Sequence, residues 1–75
     1  MKILKVVPQK NFLLHIEFDD GKNGLVDISP YLHCEAFEEL KDEAEFFKVS
    51  NGGYYVEWEC GADLSIDTLK AKLQK

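Results

Sequence analysis

Cys34, Cys60, His15 and His33 are the side chains whose types could do covalent or metal chemistry. A tetrahedral zinc site is wrapped by ligands paired at short intervals, as in C-x-x-C. Here His33 and Cys34 are merely adjacent, and the other two stand alone in distant stretches. A nucleophilic Cys60 with His15 or His33 as its base would need an electropositive setting that favours thiolate. Glu57, Glu59 and Asp63 surround it with negative charge instead. Carboxylate pairs suited to general acid and base work are so abundant that no one pair stands out. The expectation is a noncatalytic chain with no cofactor and no metal. The alternative left open is a small metal-binding or thiol-dependent enzyme built on Cys60, His15 and His33.

The glycines point to turns. Gly52-Gly53 and Gly61 lack the spacing and the Lys-Ser/Thr of a phosphate loop. Gly21 and Gly61 are therefore assigned to structural turns, with Asp63 accepting backbone amides to pin the connection after Gly61. Tyr54, Tyr55 and Trp58 could stack on bases, but a nucleic-acid reader would interleave such aromatics with Lys or Arg. Glutamates interleave here. Tyr31, Tyr55 and Trp58 are instead the candidates for a protein interface, where Tyr and Trp are favoured.

These residues must be positioned by short elements. Lys2 to Val7 reads as a strand that stops at Pro8, which lacks the amide a central ladder needs. Phe12, Leu14, Ile16 and Phe18 alternate with Leu13, His15 and Glu17, the clearest period of two in the chain. Asp19-Asp20-Gly21-Lys22 turns it into a third strand over 24–28. Ser29 is placed to cap a helical amide ahead of Pro30. From Glu35 the apolar residues Phe37, Leu40, Ala44 and Phe47 predict one helical face. A short strand over 48–51 leads through Asn51-Gly52-Gly53 into a strand over 54–58, with Tyr54, Val56 and Trp58 on its apolar face. Gly61 then hands the chain to a last helix capped by Ser65, with Ile66, Leu69 and Leu73 buried and Lys70, Lys72 and Lys75 toward its end. The expected fold is α+β: an antiparallel sheet of about five strands, in the order β-β-β-α-β-β-α, packed against helices in a single domain over 1–75.

Charge narrows the partners. The 75 residues carry a net charge of −5, with nine lysines, no arginine and fourteen carboxylates. Phosphate binding is driven by clustered cations releasing counterions, so direct nucleic-acid binding is not expected. All the carboxylates fall between Glu17 and Asp67, whereas Lys2, Lys5, Lys10, Lys70, Lys72 and Lys75 lie outside that span. Solvation is the plainer account of this asymmetry, and orientation of a charged partner the sharper one. The opening run from Met1 to Pro8 is too short and too interrupted by Lys5 for a signal peptide, and no stretch is long enough for a membrane span. A cytosolic location with both cysteines as free thiols is the expectation.

Taken in order, Val7-Pro8, Phe18-Asp19-Asp20-Gly21, Asp27-Ile28-Ser29-Pro30-Tyr31-Leu32, Phe37-Glu38-Glu39-Leu40-Lys41-Asp42, Phe46-Phe47-Lys48-Val49 and Trp58-Glu59-Cys60-Gly61-Ala62-Asp63-Leu64 resemble the DUF 2442 family of small bacterial domains across nearly the whole chain. Two positions depart from the family pattern: Cys60 replaces a polar residue, and Glu43 replaces the proline common after Asp42. The second change predicts that the helix runs on through this point. The resemblance implies an α+β domain with no established activity and no catalytic residues to carry over. Similar domains are suspected of serving as the antitoxin half of bacterial toxin–antitoxin pairs, and some carry a DNA-reading module after the domain. The expected role is an interaction domain that binds another small protein, possible homo-oligomerisation included. The remaining alternative is a component of a nucleic-acid-binding regulator.

Overall fold

The computed structural model describes residues 2–73. Met1 and Lys75, counted above in the opening run and among the cations of the last helix, lie outside them. Two three-stranded antiparallel sheets replace the single sheet of about five strands, within the expected α+β class. The first holds β1 (Ile3–Gln9), β2 (Leu13–Phe18) and β3 (Asn23–Asp27) in that order, and the second β4 (Ser50–Asn51), β5 (Tyr55–Glu57) and β6 (Asp63–Ser65). Between them run two 3-10 segments, Ser29–His33 and Glu35–Lys41, and the short helix α1 (Glu43–Phe46); α2 (Ile66–Lys72) follows β6.

β1 runs through Pro8, which pairs with Leu14, instead of ending before it. The reason is position: β1 is an edge strand, and only an edge tolerates a residue without an amide. β2 keeps the alternation read from sequence, with Leu14, Ile16 and Phe18 buried and Leu13, His15 and Glu17 half-buried on the other face.

The sixth strand comes from a turn used twice. After β2 the amide of Gly21 donates to the Phe18 carbonyl (3.1 Å) and that of Phe18 to the Lys22 carbonyl (2.9 Å). After β5 the Gly61 amide donates to the Trp58 carbonyl and the Trp58 amide to the Ala62 carbonyl, both at 2.9 Å. Gly21 at φ 89° and Gly61 at φ 97° supply the left-handed residue that each three-residue loop requires. Gly61 therefore reverses the chain into β6, and does not deliver it directly to a helix. Asp63 falls within that strand, opposite Glu57.

The expected helix over 35–47 is broken. Phe37 and Leu40, both buried, are three residues apart, a spacing that suits three residues per turn, and Glu35–Lys41 is wound as a 3-10 segment. Asp42 is extended (φ −80°, ψ 115°), and its carboxylate accepts the Ala44 amide at 3.0 Å, starting α1 afresh. Glu43 thus fails to carry the helix through, because an aspartate cap does what proline would have done. The restart also shifts phase: Phe46 is fully buried, and Phe47 is 45% exposed.

Ser29 does not cap the first 3-10 segment. Asp27 accepts both its amide (2.9 Å) and its hydroxyl (2.7 Å), a local Asx turn that sets up Pro30. Ser65 does cap α2, its hydroxyl accepting the Thr68 amide at 3.3 Å. Leu69 is buried there, with Ile66 and Leu73 half-buried beside the core.

One core lies between the elements, and its centre is aromatic. The Trp58 ring stacks on Phe46 at 6.1 Å and meets Phe37 edge-on at 6.1 Å. Its indole N–H donates to the Phe46 carbonyl at 2.9 Å, fastening the end of α1 to the second sheet.

Candidate functional site

The interface candidates separate by burial. Trp58 is only 3% exposed, so it is a core residue and unavailable as a surface contact. Its ring and its indole donor are both used internally, and that use accounts for the burial. Tyr31 is half-buried, with its ring stacked on Phe37 at 5.5 Å. Tyr55 remains 41% exposed, and its ring lies over Gly52 where any Cβ would collide with it.

A different group forms where the two sheets meet. The Ile3 amide donates to the Gly53 carbonyl at 2.7 Å, and the Asn51 side-chain amide donates to the Ile3 carbonyl at 2.9 Å. Asn51 also accepts the Gly53 amide at 2.7 Å, so one side chain shapes the turn and joins the sheets. Leu4 follows Ile3 and Tyr54 follows Gly53 in the two stretches that this seam joins. Leu4 is 64% exposed and Tyr54 56%. The Lys2 ammonium sits 5.7 Å from the Tyr54 ring centroid, within cation–π range. Tyr54 is not on the buried face with Val56 and Trp58: it precedes β5, is exposed, and its carbonyl accepts the Ile66 amide at 2.9 Å.

The side chains with chemical potential are dispersed. Cys34 is exposed between the two 3-10 segments, Cys60 is half-buried in the turn after β5, and His33 is exposed. His15 is half-buried on the outer face of β2, in cross-strand register with Val7 and Leu25. Among the described residues, no three His, Cys, Asp or Glu side chains are grouped as a metal ion would need. The Asp63 carboxylate is exposed in β6 and makes no hydrogen bond among the described residues, so it does not pin the turn. Among the described residues the Gly61 turn is closed by backbone bonds.

One charged group does link elements. Lys48 contacts Glu45 at 3.1 Å and Glu59 at 3.3 Å, bridging α1 to the turn after β5. The hydrogen bonds that Lys48 donates to Glu45 and Glu59 raise its pKa above the ordinary 10.5, and their negative charge adds to the effect. All three are substantially solvated, so the bridge positions more than it stabilises.

The whole run of elements from β1 to the end of α2 falls within one family model, described as a protein of unknown function, which matches residues 3–75. The chain belongs to the DUF2442 family. No curated protein and no solved structure matches it. In this DUF2442 chain the residues overlooked in the sequence are the short polar ones at chain reversals. Asp20, Asp27, Asp42 and Asn51 each accept the amide two residues on. The available signal was an Asx residue at each boundary between elements. Among the described residues no helix is long and apolar enough to cross a membrane.

Proposed function

We propose that this DUF2442 chain is a noncatalytic protein-interaction domain of the bacterial cytosol, the antitoxin-like half of a toxin–antitoxin pair, and that its partner is another small protein. The observation that supports this is the seam: Leu4, Tyr54 and Tyr55 are the large apolar side chains left exposed beside the junction of the sheets. Tyrosine suits such a place because its ring adds apolar area with few torsions to freeze and a hydroxyl that tolerates water. Net charge of −5 favours a basic partner and speeds its encounter. The family resemblance supplies the toxin–antitoxin setting.

The test is co-expression with the product of the adjacent gene. The expected result is that the neighbour arrests growth alone, that this chain relieves the arrest, and that the two co-purify. Leu4→Ser with Tyr54→Ser should weaken co-purification at least tenfold while the fold persists, since both side chains already face solvent. A harmless neighbour that does not co-purify would remove the reading; equal capture by the double variant would remove the seam from it.

A further inference from the structure

The first sheet has two edges, and they are built differently. β1 is blocked by three features: Pro8 has no amide to offer, Lys5 places a charge on the strand, and the register slips between Ile3 and Lys5. Its first residue is already occupied by Gly53 and Asn51. These are the devices that keep edges from pairing. β3, Asn-Gly-Leu-Val-Asp, carries no proline, no lysine and no register slip.

Its hydrogen bonds show which groups face outward. At one end the Ile28 amide donates to the Phe12 carbonyl (2.9 Å), and at the other the Phe18 amide donates to the Lys22 carbonyl (2.9 Å). Antiparallel ladders alternate bonded and non-bonded pairs. With Leu14 opposite Val26 and Ile16 opposite Gly24, those two residues of β3 bond to β2. The amides and carbonyls of Asn23, Leu25 and Asp27 therefore point away from the sheet. Among the described residues none of these amides donates to, and none of these carbonyls accepts from, another backbone group outside the sheet. α2 also reaches β3, and its buried Leu69 belongs to the core cluster that holds Val26 and Ile28.

We propose that this edge pairs with β3 of a second copy of the chain, antiparallel about a two-fold axis through Leu25. The strand is self-complementary in that register. Leu25 meets Leu25 of the second copy, and Asn23 meets Asp27, where the amide side chain can donate to the carboxylate with no like charges opposed. On the core-facing side Gly24 stands opposite Val26 of the second copy, leaving it room. The three outward pairs exchange about six backbone hydrogen bonds, and the two sheets become one of six strands. The outer-face row Val7, His15 and Leu25 continues across the axis into its own copy. A five-residue strand buries less than the roughly 1,200 Å² of a standard interface, so the dimer is weak and concentration-dependent. This inference does not rest on the toxin–antitoxin reading, because it uses a different edge.

Sedimentation equilibrium of the full chain, from about ten micromolar to one millimolar, combined with amide exchange by NMR at the two extremes, tests it. The expected result is a rising dimer fraction, with exchange of the Asn23, Leu25 and Asp27 amides slowing at least several-fold as concentration rises while the Val6 amide of β1 is unchanged. Leu25→Lys should abolish both effects, and Asn23→Asp, which sets a second carboxylate opposite Asp27 of the other copy, gives the same outcome if the first variant folds poorly. A monomer throughout, or a dimer that survives Leu25→Lys in a folded chain, overturns the proposal. So does protection of the β3 amides that is independent of concentration. Failure of partner capture in the co-expression experiment would leave this result untouched.

Discussion

Replacing Trp58 with phenylalanine tests whether the residue works inside the molecule or on its surface. The indole N–H is the donor to the Phe46 carbonyl at the end of α1. A buried acceptor stripped of its partner costs about 1–3 kcal/mol. The smaller ring also gives up packing against Phe37 and Phe46, worth about 1 kcal/mol more. The total is about 2–4 kcal/mol, a large share of the roughly 4–11 kcal/mol typical of a chain this size. At about 4–8 °C per kcal/mol for a small domain, the midpoint should fall by at least about 8 °C. Thermal unfolding followed by far-UV circular dichroism measures this directly, and the partner-binding assay run well below the midpoint should be unaffected. A drop under about 3 °C, the size of an ordinary surface substitution, would refute the reasoning from burial. Loss of partner binding in a still-folded variant would restore Trp58 to the surface.

Gly61→Ala places a Cβ at φ 97° and should destabilise by about 1–2 kcal/mol; Gly21→Ala should cost about the same, read from urea midpoints, because the two turns are built alike. Asp63→Lys converts the like-charged pair across β5 and β6 into an attractive one with Glu57. Stability should rise by up to about 1 kcal/mol, and added salt should shrink the gain. For Lys48, the folded-state value is raised, so the charged form is favoured on folding. Its contribution is fully present below the ordinary value of 10.5 and is lost as pH climbs through the raised one. Lys48→Met should therefore melt below the parent chain at neutral pH, with the two curves converging at strongly alkaline pH. Asn11→Ala should destabilise by about 1 kcal/mol, since Asn11 holds φ 65° in the turn between β1 and β2 and alanine lacks asparagine's tolerance of that region; an unchanged midpoint in equilibrium unfolding would contradict that.

The strands of the first sheet were legible because Leu14, Ile16 and Phe18 alternate with polar neighbours, a pattern that only one register can bury. The helical stretch was not. Phe37, Leu40, Ala44 and Phe47 fit a continuous helical face, and nothing in periodicity reveals that Asp42 would take the Ala44 amide and restart the winding. That local event exchanged Phe47 for Phe46 in the core. The missing strand was overlooked for the opposite reason: Trp58-Glu59-Cys60-Gly61 repeats the pattern of Phe18-Asp19-Asp20-Gly21, an aromatic residue three before a glycine, but the helix signal at Ser65 drew the turn toward α2. The interface set was half legible. Composition picks out tyrosine and tryptophan, yet only packing tells which rings face inward, and that separated Tyr55 from Trp58. The seam that ties Ile3 to Asn51 and Gly53 depends on contacts between distant parts of the chain, which a reading by neighbours does not reach.

Ile3 and Asn51 are separated by 48 positions, yet their bond helps fasten one sheet to the other. Each sheet is made of neighbouring hairpins whose pairing is local in the chain, whereas this clasp must wait until the chain has closed a long loop. The two sheets thus become one fold only late, when the stretch around Ile3 meets the Asn51 turn. Asn51→Ala would slacken the joint between the sheets while leaving the pairing of β1 with β2 and of β2 with β3 in place.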